Sequence, residues 1–188
     1  MATFVPINAD GDATNYGSEQ YQYGLNGDDT LAPSNNNKSY FLYGGEGGDL
    51  LIGQSYNDDL YGGNGPDTLY GAYGNDYLNG GLGKDAFAFD TALNKNNNVD
   101  IIADFDTNDD IFWLSKNVFQ KIGNVGNFLS SKKFEEGKNA TKSKTKILYD
   151  DNKGNLYYTK KGDEGNKVKF AEVAKHTDLD AHDFYIIA

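Results

Sequence analysis

The amino-acid sequence predicts an all-β protein: a parallel β-roll of nine-residue repeats, with 18 residues per coil, that continues into a β-sandwich-like carboxy-terminal part. The first observation behind this prediction is a nine-residue period that runs over residues 24–88 with one two-residue insertion. The second is composition, because residues 1–90 contain 17 of the 23 glycines, whereas residues 91–188 show the alternation of apolar and polar positions typical of strands. We therefore expect a lead-in over residues 1–23, the roll over 24–90 and a further β region after it.

The repeat has fixed glycine, acidic and apolar positions. The seven blocks read GLNGDDTLA (24–32), NNNKSYFLY (35–43), GGEGGDLLI (44–52), GQSYNDDLY (53–61), GGNGPDTLY (62–70), GAYGNDYLN (71–79) and GGLGKDAFA (80–88). Position one is glycine in six blocks, position six is acidic in six, and position eight is large and apolar in all seven. A flexible glycine-rich linker has no reason to keep a large apolar residue at position eight, which argues against that alternative.

Each block is too short for a pair of helices, and glycine disfavours a helix by about 1 kcal/mol per residue relative to alanine. We therefore predict a turn and a short strand in each block, with glycines at positions one, two and four forming the turn. The last three residues alternate, so only position eight points inward. Two blocks form one coil, and coils stacked about 4.8 Å apart place the position-eight side chains in two facing internal rows.

The same stacking brings acidic side chains together. Residues 18 apart share an edge of the roll, which places Asp49, Asp67 and Asp85 on one side and Asp58 and Asp76 on the other. Two unit charges about 4 Å apart repel by about 1 kcal/mol in water and by several times more near a protein surface. We therefore expect a cation between the coils. Carboxylates and the carbonyls of glycine-rich turns form a flexible all-oxygen ligand set, which suits Ca²⁺ better than Mg²⁺.

Charge and composition exclude several classes of protein. The net charge is −11, from 28 acidic residues against 17 lysines, so we expect neither nucleic acid nor an anionic membrane surface as the main partner. The absence of cysteine excludes disulfides and thiolate ligands. No apolar run approaches the roughly 18 residues needed to cross a bilayer. The amino-terminal residues lack the basic and apolar segments of a secretory signal peptide.

The blocks at 44–52, 62–70 and 80–88 match the pattern G-G-x-G-x-D-x-U-x in full, and the chain resembles RTX proteins, whose hemolysin-type repeats bind calcium. The resemblance implies a parallel β-roll whose turns hold several Ca²⁺ ions through position-six aspartates and glycine-region carbonyls. The implied ligands are Asp29, Asp49, Asp58, Asp67, Asp76 and Asp85, with the carbonyls of Gly45, Gly47, Gly63, Gly65, Gly74, Gly81 and Gly83.

Three departures from the pattern weaken particular sites. One block has Gln54 and Tyr56 in place of glycine, which weakens the approach of carbonyls to Asp58. Another has Tyr40 at position six, so we expect no full site beneath Asp58. Asp29 lies beyond the two-residue insertion and can still pair with the aspartate of the next coil.

The rest of the chain, from FAFDTALNKNNNVDIIADFDTNDDIFWL (87–114) onwards, resembles the carboxy-terminal domain of serralysin-type secreted metalloproteases, without their protease domain. That resemblance implies that Asp100 helps to close the last calcium site. The alternative is that Asp100 is a polar position alternating with apolar ones along a strand. We expect DTNDD (106–110) to be a solvated turn, KILYDDNKGNLYYT (146–159) to be a hairpin, and KVKFAEV (167–173) to be another strand.

The chain ends in an acidic residue and a short apolar run, which resembles the terminal signal that type I export transporters read in the serralysin group. The residues concerned are Asp183, Phe184, Tyr185, Ile186 and Ile187. A last β-strand that closes the domain is a compatible interpretation. Because an amino-terminal signal is lacking, we expect direct export to the extracellular medium through a type I transporter.

We find no catalytic motif in the sequence. The two histidines, His176 and His182, lack H-E-x-x-H spacing, and with Asp178 they could form only an adventitious metal site. We therefore expect a non-catalytic calcium-binding module that folds when the exported protein meets extracellular Ca²⁺. Two alternatives stay open. Outward aromatic residues such as Tyr43 and Tyr61 would suit a calcium-dependent adhesion or polysaccharide-binding module, and the chain could be the carboxy-terminal fragment of a secreted hydrolase.

Overall fold

The computed structural model describes residues 21–34, 37–142, 144–160 and 166–188. Most of the predicted lead-in, residues 1–20, lies outside the described residues, and the expectation of no signal peptide concerns this same segment. Within the described part the fold is all-β, as predicted, with fifteen strands in two sheets and a short 3-10 helix at Ala181–Asp183. The described residues contain no helix of the length and apolarity that crossing a membrane requires.

The strands form a larger sheet A and a smaller sheet B. In spatial order, sheet A consists of β1 (Tyr21–Asn26), β3 (Phe41–Glu46), β5 (Asp59–Asn64), β7 (Tyr77–Leu82), β9 (Asp100–Ile102), β14 (Lys167–Glu172), β13 (Asn155–Thr159), β12 (Ile147–Asp150) and β11 (Phe134–Glu136). Sheet B consists of β15 (Phe184–Ile187), β10 (Ile111–Ser115), β8 (Ala86–Phe89), β6 (Thr68–Tyr70), β4 (Leu50–Ile52) and β2 (Thr30–Leu31). The first eight strands alternate between the sheets, so each coil contributes one strand to each sheet.

The strand register confirms the predicted coil of 18 residues. In sheet A, Leu42 pairs with Leu60 and Leu60 with Leu78, and all these pairs are parallel. In sheet B, Leu51 pairs with Leu69 in the same way. All seven position-eight side chains are fully buried, which confirms the two internal rows: Leu31, Leu42, Leu51, Leu60, Leu69, Leu78 and Phe87. Burial of one such row against the other supplies the apolar core of the roll.

Glycine is required in the turns because successive coils approach each other through their backbones. Gly63 and Gly65 have φ angles of 120° and 122°, a region that other residues rarely adopt. A Cβ atom on Gly63 would lie 2.1 Å from the carbonyl oxygen of Gly45 in the preceding coil. The same close approach recurs in the next coil, where Gly81 faces the carbonyl oxygen of Gly63. A side chain at these positions would separate the coils.

Both sheets continue past the last repeat without a break. Strand β9 pairs with β7, and β10 pairs with β8, again in parallel. Strands β12 and β13 form the predicted antiparallel hairpin, and β14 confirms the predicted strand that follows it. Phe112 on β10 joins the two parts of the core, since its ring centroid lies 6.4 Å from that of Phe87 and 5.0 Å from that of Phe184.

The substitution Leu69→Ala tests the internal row. We expect it to lower the free energy of unfolding by about 2–5 kcal/mol, because it leaves a cavity between two coils. Leu82→Ala is the matched control, since Leu82 is 74% exposed and its loss should cost less than about 0.5 kcal/mol. Urea denaturation in calcium-containing buffer measures both values. Equal losses would contradict an inward-facing position eight.

Candidate metal centre

Buried aspartates form two ladders, one along each edge of the roll. The first ladder consists of Asp29, Asp49, Asp67, Asp85 and Asp110, and the second consists of Asp58, Asp76 and Asp100. In the first ladder the backbone N–H of each aspartate donates to Oδ1 of the next, at 2.8 to 3.0 Å. In the second ladder the Tyr40 N–H donates to Asp58 Oδ1 at 2.6 Å. The Asp58 N–H donates in turn to Asp76 Oδ1 at 2.8 Å, and the Asp76 N–H donates to Asp100 Oδ1 at 3.1 Å. The predicted stacking of aspartates is therefore confirmed.

The second carboxylate oxygen of four of the eight ladder aspartates is buried without a hydrogen-bond donor. This holds for Oδ2 of Asp49, Asp67, Asp76 and Asp85. A buried acceptor left in this state costs about 1–3 kcal/mol, and more when it carries charge. A cation bound to these oxygens would remove that cost.

Carbonyl oxygens converge on the same points as these carboxylate oxygens. A Cβ atom placed on Gly44 would lie 2.2 Å from Asp49 Oδ2 and 2.6 Å from the carbonyl oxygen of Gly62. One coil further on, a Cβ on Gly62 would lie 2.2 Å from Asp67 Oδ2 and 2.5 Å from the Gly80 carbonyl oxygen. These two steps of the first ladder thus combine a carboxylate and a carbonyl of the next coil beside a residue without a side chain. Such hard oxygen donors fit Ca²⁺.

The prediction that position-two glycines form the turns is wrong, because Gly45, Gly63 and Gly81 lie near the ends of β3, β5 and β7, where the strands of sheet A extend further than expected. Gly45, Gly47, Gly63 and Gly65 direct their carbonyl oxygens at the glycine of the next coil, where a Cβ atom would meet them at 2.0 to 2.1 Å. The glycines that receive these contacts at the end of the roll are Gly81 and Gly83. In the second ladder Gly74 lies against the Tyr56 carbonyl oxygen and Oδ1 of Asp76. The carbonyls of Gly62 and Gly80 were not predicted as ligands. The signal for them in the sequence is the glycine that recurs at position one of the repeat.

The second ladder shows the effect of the predicted departures. Asp58 Oδ2 accepts a hydrogen bond from the Gln54 N–H at 2.8 Å, so this oxygen is satisfied within the protein. Further along, Oδ2 of Asp76 and Oδ2 of Asp100 both approach Gly71, at 2.5 and 3.1 Å from a Cβ placed there. Asp100 is buried within β9 and ends the second ladder. This placement suits the ligand role that we expect for it.

Asp110 was not predicted as part of the site. The expectation that residues 106–110 form a solvated turn is wrong for Asp110, which is 9% exposed and accepts the Asp85 N–H at 3.0 Å. It ends the first ladder as Asp100 ends the second. The signal in the sequence is an acidic residue followed two positions later by a large apolar residue. Asp110 and Asp100 share this pattern with the acidic position six of the repeat. Asp104 also joins this end, because its carboxylate accepts the N–H groups of Gly80 and Gly81 at 3.0 and 2.7 Å.

Burial sets the electrostatics of both ladders. It raises the pKa of Asp67 to about 7 and that of Asp49 to about 6, with added repulsion from the neighbouring carboxylates. Burial likewise raises the pKa of Asp110 to about 6. The pKa of Asp76 is raised by burial and then by the charge of Asp100. In the absence of cations the folded roll therefore favours protonated aspartates.

The histidines form no part of this site. His176 Nδ1 lies 3.0 Å from Asp151, and His182 Nδ1 lies 3.2 Å from Asp180, both on the surface. Across residues 21–34, 37–142, 144–160 and 166–188, no group of three or more histidine, cysteine or acidic side chains is placed to hold a metal by itself. A metal ion held by the ladders would therefore need backbone carbonyls as well as carboxylates.

Comparison with known families gives a specific match. The model of the RTX calcium-binding nonapeptide repeat matches residues 52–87 as four copies. The matched stretch contains the turns of Asp58, Asp67, Asp76 and Asp85. No curated protein matches the chain. The family match and the orphaned carboxylate oxygens identify the same segment and the same class of ligand.

Two single substitutions test the role of the orphaned oxygens. We expect Asp67→Ala to raise the Ca²⁺ concentration at half-folding by about tenfold, equivalent to about 1.4 kcal/mol, because Asp67 Oδ2 has no donor within the protein. Asp58→Ala should raise it much less, because Asp58 Oδ2 is already bonded to Gln54. Calcium titrations followed by far-UV circular dichroism compare them. Identical midpoints would contradict this ranking.

The raised pKa values predict an opposite pH dependence with and without calcium. These carboxyl groups have a pKa of about 3.9 in the unfolded chain and of 6–7 in the folded chain. Each one therefore stabilises the fold fully when the pH is below the pKa of the unfolded chain. That contribution disappears as the pH rises through the folded value. In metal-free buffer, the β signal should therefore be stronger at pH 5 than at pH 8. With calcium, protons compete for the same oxygens, so the calcium midpoint should rise as the pH falls. Circular dichroism at both pH values checks this, and a roll equally folded at pH 8 without metal would contradict it.

Proposed function

On the premise that residues 52–87 are RTX calcium-binding repeats, we propose that this chain is a non-catalytic, calcium-dependent folding module of a protein exported by a type I transporter. The observation that carries the proposal is the series of buried Oδ2 atoms without donors in the two ladders. The proposed ligands are the ladder aspartates together with the carbonyls of the turn glycines. Calcium supplies positive charge between the coils, while the chain supplies the spacing that keeps the carboxylates together.

Calcium binding would contribute a large share of the stability of the roll. An ion that binds only the folded state stabilises it by RT ln(1 + [L]/Kd), which is about 1.4 kcal/mol at a tenfold excess over Kd. Several such sites approach the 5–15 kcal/mol that is typical of a whole domain. At the low calcium concentration of a cytosol, the same carboxylates repel each other and the coils separate. Folding and binding then become one event.

The position of the terminal segment supports export before folding. Phe184 and Ile186 are fully buried in β15, which pairs with β10, and the carboxylate of Asp183, the last residue of the 3-10 helix, accepts the Asp180 N–H at 2.6 Å. A transporter could contact these side chains only while the chain is unfolded. Calcium outside the cell would then bury the segment in sheet B. The terminal residues would thus serve as a signal first and as a strand afterwards.

The aromatic residues on the outer face of sheet A give less support to the polysaccharide-binding alternative. The Tyr61 ring packs against Phe41 and Tyr77, with centroids 5.0 and 5.6 Å away and planes tilted by 32° and 43°. Tilted rings in mutual contact cover a sheet well but do not offer a flat platform for a sugar ring. We therefore favour a covering role for this row.

Removal of calcium tests the folding proposal directly. In excess chelator we expect the β signal of the roll to be lost in far-UV circular dichroism, and millimolar Ca²⁺ should restore it. Millimolar Mg²⁺ is the control and should restore much less, because its strict octahedral geometry suits these turns poorly. A spectrum that is indifferent to chelator would contradict the proposal.

Deletion of the last six residues, 183–188, tests the export proposal separately. In a host with a type I transporter, we expect the full chain to reach the medium and the deleted chain to remain inside the cell. Leu69→Ala is the control, because it weakens the folded roll but leaves the terminal segment intact. Export of the deleted chain, or loss of export in the control alone, would contradict a terminal signal.

A further inference from the structure

A cleft of about 630 Å³ lies on the outer face of sheet B, on the side away from the core. Strands β4 and β6 contribute its aliphatic and hydroxyl-bearing side chains, among them Ile52 and Thr68. Two aromatic residues, Tyr70 and Trp113, line it as well, and both are partly exposed. None of these side chains belongs to the internal rows or to the carboxylate ladders.

The register of sheet B explains why the two aromatic residues share one cleft. Ala88 on β8 pairs with Tyr70 on one side and with Trp113 on the other. Ala86 is the second outward residue of β8, so no large side chain stands between the two aromatic residues. They are separated by two strand spacings, or about 9.6 Å. Ala88 itself is only 3% exposed, so a ring can pack against the two aromatic side chains but does not reach the strand between them.

Two polar residues of the cleft, Asp90 and Thr91, lie at one end. Asp90 is exposed at the end of β8. Burial raises the pKa of the Tyr70 hydroxyl, and the negative charge of Asp90 nearby raises it further. Beside it, Thr91 donates to the Ala72 carbonyl oxygen at 2.6 Å and accepts from Asn98 at 3.2 Å, which fixes the loop. The cleft therefore offers apolar and aromatic surface along its length and a carboxylate acceptor at its end.

The charge of the cleft restricts its ligand. Its lining includes no lysine, and its only acidic residues are Asp90 and Asp49. The carboxylate of Asp49 belongs to the first ladder, so Asp90 is the charged group available to a ligand. A chain with a net charge of −11 and a carboxylate at this position disfavours an anionic ligand. A neutral polyhydroxylated ring suits both the aromatic surface and the carboxylate, because its C–H face can pack on the rings while its hydroxyls donate to Asp90.

We propose that the cleft between Tyr70 and Trp113 binds an uncharged pyranose unit of an oligosaccharide, which packs on the aromatic rings and donates hydroxyl hydrogen bonds to Asp90. Calcium binding and export do not require such a site, so the two proposals stand independently. The site lies on sheet B, and the tilted aromatic row of sheet A takes no part in it.

Intrinsic fluorescence offers a direct test, because Trp113 is the only tryptophan of the chain. The full chain in calcium buffer would be titrated with cellotetraose, maltotetraose and acetylated chitotetraose, and with tetragalacturonate as an anionic probe of the same length. We expect a saturable change in emission with at least one neutral tetrasaccharide and none with the anionic one. No response to any neutral probe, or equal binding of the anionic probe, would overturn the proposal.

Variants locate the binding in the cleft. We expect Tyr70→Ala and Asp90→Asn each to weaken binding by about tenfold or more, since each removes a principal contact. Tyr43→Ala is the matched control, because Tyr43 is an exposed aromatic residue on the opposite sheet and should bind as the parent does. Far-UV spectra and calcium midpoints should be unchanged in all three, which separates loss of sugar binding from loss of calcium-dependent folding. Undiminished binding in Tyr70→Ala, or loss of binding in Tyr43→Ala, would contradict the assignment.

Discussion

The burial of one aspartate carboxylate per turn is the constraint on which the roll depends. The two oxygens of each carboxylate have different tasks. Oδ1 accepts a backbone N–H of the neighbouring coil and so fixes the distance and register between coils. In Asp49, Asp67, Asp76 and Asp85, Oδ2 remains buried without a donor. The same side chain that joins the coils therefore also makes their stack unfavourable unless positive charge is present, which couples the geometry of the fold to its ionic surroundings.

The repetitive half of the fold could be predicted in detail because one period specifies both local structure and stacking. A nine-residue unit determines where the chain turns, which side chain points inward and which residues lie above one another. The leucines at 42, 60 and 78 occupy one internal row for this reason alone. The second half has no period. Its hairpin could be recognised from alternation and a turn, but the insertion of β14 between β9 and β13 depends on long-range packing that no local pattern encodes.

The limits of prediction at the site have a similar origin. Asp110 was not predicted as a member of the first ladder because 25 residues separate it from Asp85, whereas 18 separate the members of the repeat. The loop between them changes the spacing but preserves the stacking. By contrast, the departure from the repeat pattern around Asp58 could be recognised in the sequence. Gln54 lacks the positive φ that Gly63 adopts at the same position of the repeat, and its backbone N–H donates to Oδ2 of Asp58, so this oxygen is satisfied where others are not.

The ends of the two ladders give the stack a direction. Asp100 begins β9 and Asp110 directly precedes β10, and these strands are also held by the carboxy-terminal half, through β14 and β15 respectively. The carboxylates of Asp100 and Asp110 accept N–H groups of the last coil, so the last coil needs no further repeat beyond it to supply these acceptors. In a linear array each unit is stabilised chiefly by its nearest neighbours, and the terminal units need a cap. The carboxy-terminal half supplies that cap at one end of the array, because its strands continue both sheets of the roll beyond β7 and β8.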